Sequence, residues 1–218
     1  MKKTLILFAL LSAACRGERE AEVTREREIL ETDTIPADDV AVSKPGLRPP
    51  EVKGDSVMLE GTWHRIAVHL VESPPGFEPA FYTYAPEDFA VHQSSSAEGT
   101  AWRFNARFGG TENPEAYLLV FFFPDGTSDS EARRRIDQLI ADRTVVQRDA
   151  GQAKRYPWSE VEYSYQGKTK SGQPLLGSVA LGRHNGRLFY FLTEYPAEYA
   201  DGFGPRAQVI LKEWRWAT

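Results

Sequence analysis

Tyr117-Leu118-Leu119-Val120-Phe121-Phe122-Phe123 decides the fold class of this 218-residue chain. The run is continuously apolar, and it follows a loop marked by Gly109-Gly110 and Asn113-Pro114. A short stretch without polar alternation reads as a central strand covered on both faces. Covering a sheet on both sides takes helices packed against it, at least in part.

Strand signals lie on either side of this run. Upstream, Trp102, Phe104, Ala106 and Phe108 alternate with Arg103, Asn105 and Arg107, the pattern of a half-buried strand. Residues 89–93 predict a short strand before them, followed by a turn-rich stretch at 94–99. Earlier still, residues 63–71 point Ile66, Val68 and Leu70 one way and Trp63, Ala67 and Val71 the other. Pro74-Pro75-Gly76 ends that strand, because proline cannot donate to a ladder. Downstream, Val161, Tyr163 and Tyr165 recur at period two. Residues 177–183 and 188–195 then flank His184-Asn185-Gly186-Arg187. Asn-Gly between two apolar runs predicts a hairpin, since both central turn positions need φ > 0.

Two helices are expected. Ser128-Asp129-Ser130-Glu131 fits a capping box, and Ala132, Ile136, Leu139 and Ile140 then share one face. This helix should end near Asp142 or Arg143. Gly204-Pro205 places proline at the first position of a second helix, with Ala207, Ile210, Leu211 and Trp214 on one face. Strands, helix, strands and helix in that order predict an α+β protein with an antiparallel β-sheet flanked by helices.

The N-terminal quarter is different in kind. Lys2 and Lys3 precede the apolar run from Leu5 to Leu11, and Ser12, Ala13 and Ala14 lead to Cys15. Positive, apolar and small segments in that order predict an export signal over residues 1–14. The run is too short to span a bilayer, which takes roughly 20 apolar residues. Leu11-Ser12-Ala13-Ala14-Cys15 resembles the lipobox of bacterial lipoproteins, although Ser12 stands where leucine is commonest. The resemblance implies cleavage before Cys15 and acylation of its thiol by palmitate-type chains. The alternative is an ordinary secretory signal with a free thiol beside the cleavage site. As Cys15 is the one cysteine, no intramolecular disulfide can form. Arg16 follows it in place of the aspartate that retains enteric lipoproteins at the inner membrane. Cell-envelope localisation on the periplasmic side of an outer membrane is therefore expected in a two-membrane organism.

After Phe8 no aromatic residue appears until Trp63. Residues 16–50 hold nine acids, six bases and four prolines, too little apolar surface to offset the entropy of ordering. Residues 15–55 thus read as a disordered polar tether, and residues 56–218 as a single domain. Loss of Lys2 and Lys3 with the signal leaves 24 basic against 31 acidic side chains, a net charge of −7. This argues against a nucleic-acid partner, which rewards clustered positive charge.

Residues 89–107 and 117–124, the Asn185-Gly186-Arg187-Leu188-Phe189-Tyr190 hairpin and the last helix before Trp214 together resemble the PsbP/Mog1-type family. The resemblance spans residues 80–216 and implies an α/β/α sandwich. Members of that family act mainly as non-enzymatic binding or assembly proteins, and bacterial surface lipoproteins are among them. It carries no functional residue onto this chain.

Chemistry-bearing motifs are sparse. His64 and His69 are five residues apart, which in one strand puts them on opposite faces, so a shared metal would need a bulge. His92 and His184 fall at expected strand ends or turns, and no ligand spacing links them. Ser94-Ser95-Ser96 reads as a polar turn. No Gly-x-Ser-x-Gly elbow exists, and Gly109-Gly110 lacks the lysine and hydroxyl of a phosphate loop. Arg133-Arg134-Arg135 reads as a solvated helix surface. Two aromatic clusters remain: Phe77, Phe81, Tyr82 and Tyr84 among prolines, and Tyr195, Tyr199 and Phe203. Each could form a recognition surface or plug an end of the fold. The expectation is a membrane-anchored binding module with Cys15 as lipidation site and a protein partner, or less readily a small ligand. No catalytic residue, metal or cofactor is indicated.

Overall fold

In the computed structural model, residues 48–149 and 155–217 are described. The elements run β1 (Val52–Leu59), β2 (Thr62–Glu72), β3 (Phe81–Pro86), β4 (Phe89–Ser96), β5 (Gly99–Ala106), β6 (Tyr117–Phe122), α1 (Asp129–Leu139), β7 (Thr144–Asp149), β8 (Ser159–Lys168), β9 (Pro174–His184), β10 (Arg187–Pro196), α2 (Ala200–Lys212) and β11 (Arg215–Trp216). The signal peptide, Cys15 and the tether as far as residue 47 lie outside the described residues.

Two antiparallel sheets form. A seven-stranded sheet has the order β4-β5-β6-β10-β9-β8-β7, and a four-stranded one the order β1-β2-β3-β11. The apolar run is β6, flanked by β5 and β10 and covered on both faces as expected. On one face of the large sheet, Ala132 and Ile136 of α1 and Ile140 at its C-terminal cap pack among Val161, Tyr163, Leu181, Tyr190 and Leu192. On the other, Phe203, Ala207 and Ile210 of α2 join Phe104, Leu118, Phe122 and Phe191, together with Phe81 and Ala85 of the small sheet. Val209 on the same helix packs with Val57, Val68 and Tyr84. The α+β class holds, but the sandwich is looser than three plain layers, because α2 shares its layer with the small sheet.

Several sequence expectations need correction. The proline-flanked aromatics at 77–86, for which the sequence alone predicts no strand, contain β3, which pairs with β2 and β11. Residues 94–96 continue β4 instead of turning, pairing with residues 99–101. The first strand begins at Val52, so residues 52–55, read as tether, belong to the sheet. They pair with residues 66–69 of β2 in a hairpin, and Lys53 adds distant contacts that local composition hides, its Nζ lying 2.6 Å from Glu213 and 4.1 Å above the Tyr84 ring. Its stem covers apolar surface while its charge stays paired. Finally, Pro205 is inside α2 and not at its start. Burial of Phe203, which precedes it, draws the earlier turn into the helix.

Candidate functional site

Strands β8, β9 and β10 carry opposite chemistry on their two faces. Toward α1 they present Val161, Tyr163, Tyr165, Leu175, Val179, Leu181, Leu188, Tyr190 and Leu192, all buried. Toward α2 the same strands place Ser164, Ser178 and Thr193 in one row, because Ser164 faces Ser178 and Ser178 faces Thr193 in the ladders. The Ser178 and Thr193 hydroxyls are 2.7 Å apart. All three side chains are partly exposed.

The helix above them is too slim at this point to close the space. Gly204 and Ala207 face the row, and two adjoining cavities of about 230 and 340 Å³ result. They share Arg155, Ser164, Ser178 and Thr193. Gln147 and Gln208 border the opening, and Tyr156 and Tyr195 supply aromatic walls. Tyr156 is fixed in place by stacking on Trp158 at 5.1 Å, and Trp158 packs in turn on Phe189 and Phe191.

Burial pushes the phenols of both Tyr156 and Tyr195 above their ordinary range. The carboxylate in the groove, Glu162, is only 6% exposed. Its oxygens accept hydrogen bonds from the backbone N–H groups of Arg155 (2.9 Å) and Tyr156 (2.8 Å) and from the Ser159 hydroxyl (2.5 Å). Glu162 therefore works as a hook that ties the chain entering β8 to the sheet. It offers little to a ligand.

A second polar cluster lies on the opposite face. Glu194 accepts from the Tyr117 hydroxyl at 2.7 Å, the Tyr165 hydroxyl at 3.2 Å and the Arg143 guanidinium at 3.4 Å. Tyr165 reaches it by lying across β9 over Gly177, where an added Cβ would come within 2.2 Å of the tyrosine ring. Arg103 stacks 3.6 Å above the Tyr117 ring. A cavity of about 440 Å³ opens beside the cluster, edged by Lys168 and Lys170. Burial, then the Glu194 charge, drives Tyr117 and Tyr165 far above the usual phenol range, so both remain protonated donors. The cluster ties β6, β8 and β10 together around one compensated carboxylate.

No protein family matches the chain, and no curated protein matches it. Among solved structures, it is similar to cyanobacterial PsbP (CyanoP) from Synechocystis at 10% identity and a TM-score of 0.43, over 68% of this chain and 92% of that one. It is also similar to LpqN, involved in cell envelope biogenesis in Mycobacterium tuberculosis, at 12% identity and a TM-score of 0.39, over 69% and 92% of the two chains. A protein from Bacteroides thetaiotaomicron gives 11% identity and a TM-score of 0.37 over 68% of this chain, which spans about half (48%) of that protein. PsbP is the family that the sequence resembles. At these scores none of the three assigns a family or a function, and the fold class rests on the sheets and helices themselves.

The residues singled out from the sequence are dispersed. His64 and His69 sit on opposite faces of β2, opposite Val57 and Val52 of β1 respectively. His92 lies 2.8 Å from Glu112, which also accepts from Asn105. His184 stacks on Trp216 at 4.1 Å. Three strands separate β4 from β9, so His92 and His184 form no joint site. No group of three or more metal-ligating side chains occurs among the described residues. Phe77 and Phe81 pack on Trp102 and Phe122 and so plug the fold, whereas Tyr195 rests one face on Phe203 and stays partly exposed at the groove. Arg133 and Arg135 pair with Glu160 and Glu98. The hydroxyl row escaped sequence reading. Its signal was the polar alternate of each strand: Ser164 between Tyr163 and Tyr165, Ser178 before Val179, and Thr193 breaking the Phe189, Phe191, Tyr195 series.

Proposed function

We propose that this protein is a lipid-anchored bacterial envelope protein whose folded part is a non-enzymatic binding module, with the groove between β8–β10 and α2 as its binding surface. One observation carries the reading: the groove is rich in hydrogen-bonding groups but poor in groups that could move a proton near neutral pH. Glu162 is occupied by three donors, and burial raises the phenols of Tyr156 and Tyr195. General acid–base work calls for a pKa close to the working pH. Binding does not.

Acylation of Cys15 would hold the protein on the periplasmic side of an outer membrane in a two-membrane organism. No helix among the described residues is long and apolar enough to cross a membrane.

Two measurements on the full-length protein test this. A clickable fatty acid should label the wild type and not Cys15→Ser; an unlabelled wild type would mean a secreted protein. A photo-crosslinking residue at Gln208, beside the groove, should form products that the same residue at Asp137 on α1 does not. Equal yields from the two positions would overturn the groove as the binding surface.

A further inference from the structure

We infer that the groove is a site for a neutral, hydroxyl-rich ligand of the oligosaccharide class, a reading that rests on the groove being the binding surface. Charge is the first reason. Among the described residues that line the two cavities, Arg155 and Glu162 are the charged ones, and Glu162 is closed off by its three donors. The remaining polar groups are neutral: the hydroxyls of Ser164, Ser178 and Thr193, with the amides of Gln147 and Gln208 at the border, Gln208 being hydrogen-bonded to Tyr156. A strongly anionic or cationic ligand would leave most of its charge uncompensated here.

The kind of hydrogen bond is the second. A hydroxyl both donates and accepts, so a row of hydroxyls complements another set of hydroxyls. Ser164, Ser178 and Thr193 stand on three adjacent strands, spaced by the interstrand distance of about 4.8 Å. The pair at 2.7 Å uses one of its two protons, which leaves a donor and several lone pairs facing the groove. A bound peptide would want main-chain partners instead. Here the backbone groups of β8, β9 and β10 are already committed to ladders on both sides. The floor presents side chains only.

Shape is the third. Tyr156 and Tyr195 are partly exposed rings on the walls, suited to the apolar C–H face of a sugar ring. The adjoining cavities, about 230 and 340 Å³, together reach the roughly 300–1,000 Å³ range of small-ligand sites.

The test is titration of the full-length protein with chitotetraose and maltotetraose, and with tetragalacturonate as the anionic counterpart, by calorimetry or ligand-observed NMR. The expected result is saturable binding of at least one neutral oligosaccharide, weakened about three- to tenfold by Ser178→Ala or Thr193→Val. These changes remove a hydroxyl at nearly constant volume, and Gln208→Ala, on the exposed face of α2, serves if either fails to fold. Absence of neutral-oligosaccharide binding at millimolar concentration overturns the inference. So does binding that the variants leave unchanged, or a preference for tetragalacturonate. If the sugars fail while the Gln208 crosslinker still captures a partner, the ligand class falls and the groove stands. If both fail, the binding reading falls with it.

Discussion

Gly177 shows how one side chain, or its absence, organises a whole face of this protein. Because nothing projects from it, Tyr165 can lie across β9 and bring its hydroxyl to Glu194 on β10. Gly177→Ala should displace that ring and cost about 1–3 kcal/mol, the usual penalty for overpacking, read as a lowered urea midpoint. Tyr165→Phe keeps the packing and deletes one hydrogen bond, so its loss should be smaller, about 1 kcal/mol. If the two variants cost the same, the ring's course over Gly177 is not what matters.

His69 makes a prediction of another kind. Burial lowers its pKa below the ordinary 6.5, with Glu87 opposing and Arg107 assisting. Below 6.5 the unfolded chain takes up a proton that folded His69 resists, so acidification favours unfolding. Stability should therefore fall as pH drops from 6.5 toward the lower folded value. His184, shifted the same way by burial, adds with the same sign. His69→Gln should flatten only its share of the slope in chemical denaturation across that window. An unchanged slope would show that His69 is not the group responsible.

Among the elements, α1 was the most legible. Ser128 accepts from the Glu131 backbone N–H at 3.2 Å, the capping contact its spacing announces, and Ala132 and Ile136 are buried as the period requires. Ser128→Ala should cost about 1 kcal/mol in thermal or urea unfolding. The β9–β10 hairpin was equally plain: Asn185 and Gly186 have φ of 47° and 82°, as a two-residue turn of this hand demands. β3 and β1 were not legible. Proline on both sides of residues 77–86 is a local signal for a loop, and only pairing with β2 and β11 makes a strand of it. β1 is a hairpin arm on β2, but its polar start is held by Lys53 on Tyr84 and Glu213, more than thirty and more than a hundred residues away, which composition does not announce. Pro205 misled for a related reason: its local preference for a helix start yields to burial of Phe203 two residues earlier.

For the molecule as a whole, Phe81 is the joint between the two sheets. It belongs to β3, is 1% exposed, stacks on Trp214 at 4.1 Å and lies 5.6 Å from Phe122 of the large sheet. Phe81→Ala should cost about 3–5 kcal/mol. If the sheets fold together, calorimetry should still show one transition at lower temperature. A separate early transition would mean that the small sheet folds independently. By itself the sequence determined the features that need few residues in a row: the central strand, the capped helix, the Asn-Gly hairpin and the antiparallel α+β class. Tertiary structure alone decided the division into two sheets, the Glu194 cluster and the groove with its hydroxyl row. Each of these brings together residues from separate strands, and only strand register, set by burial of the opposite face, puts them side by side.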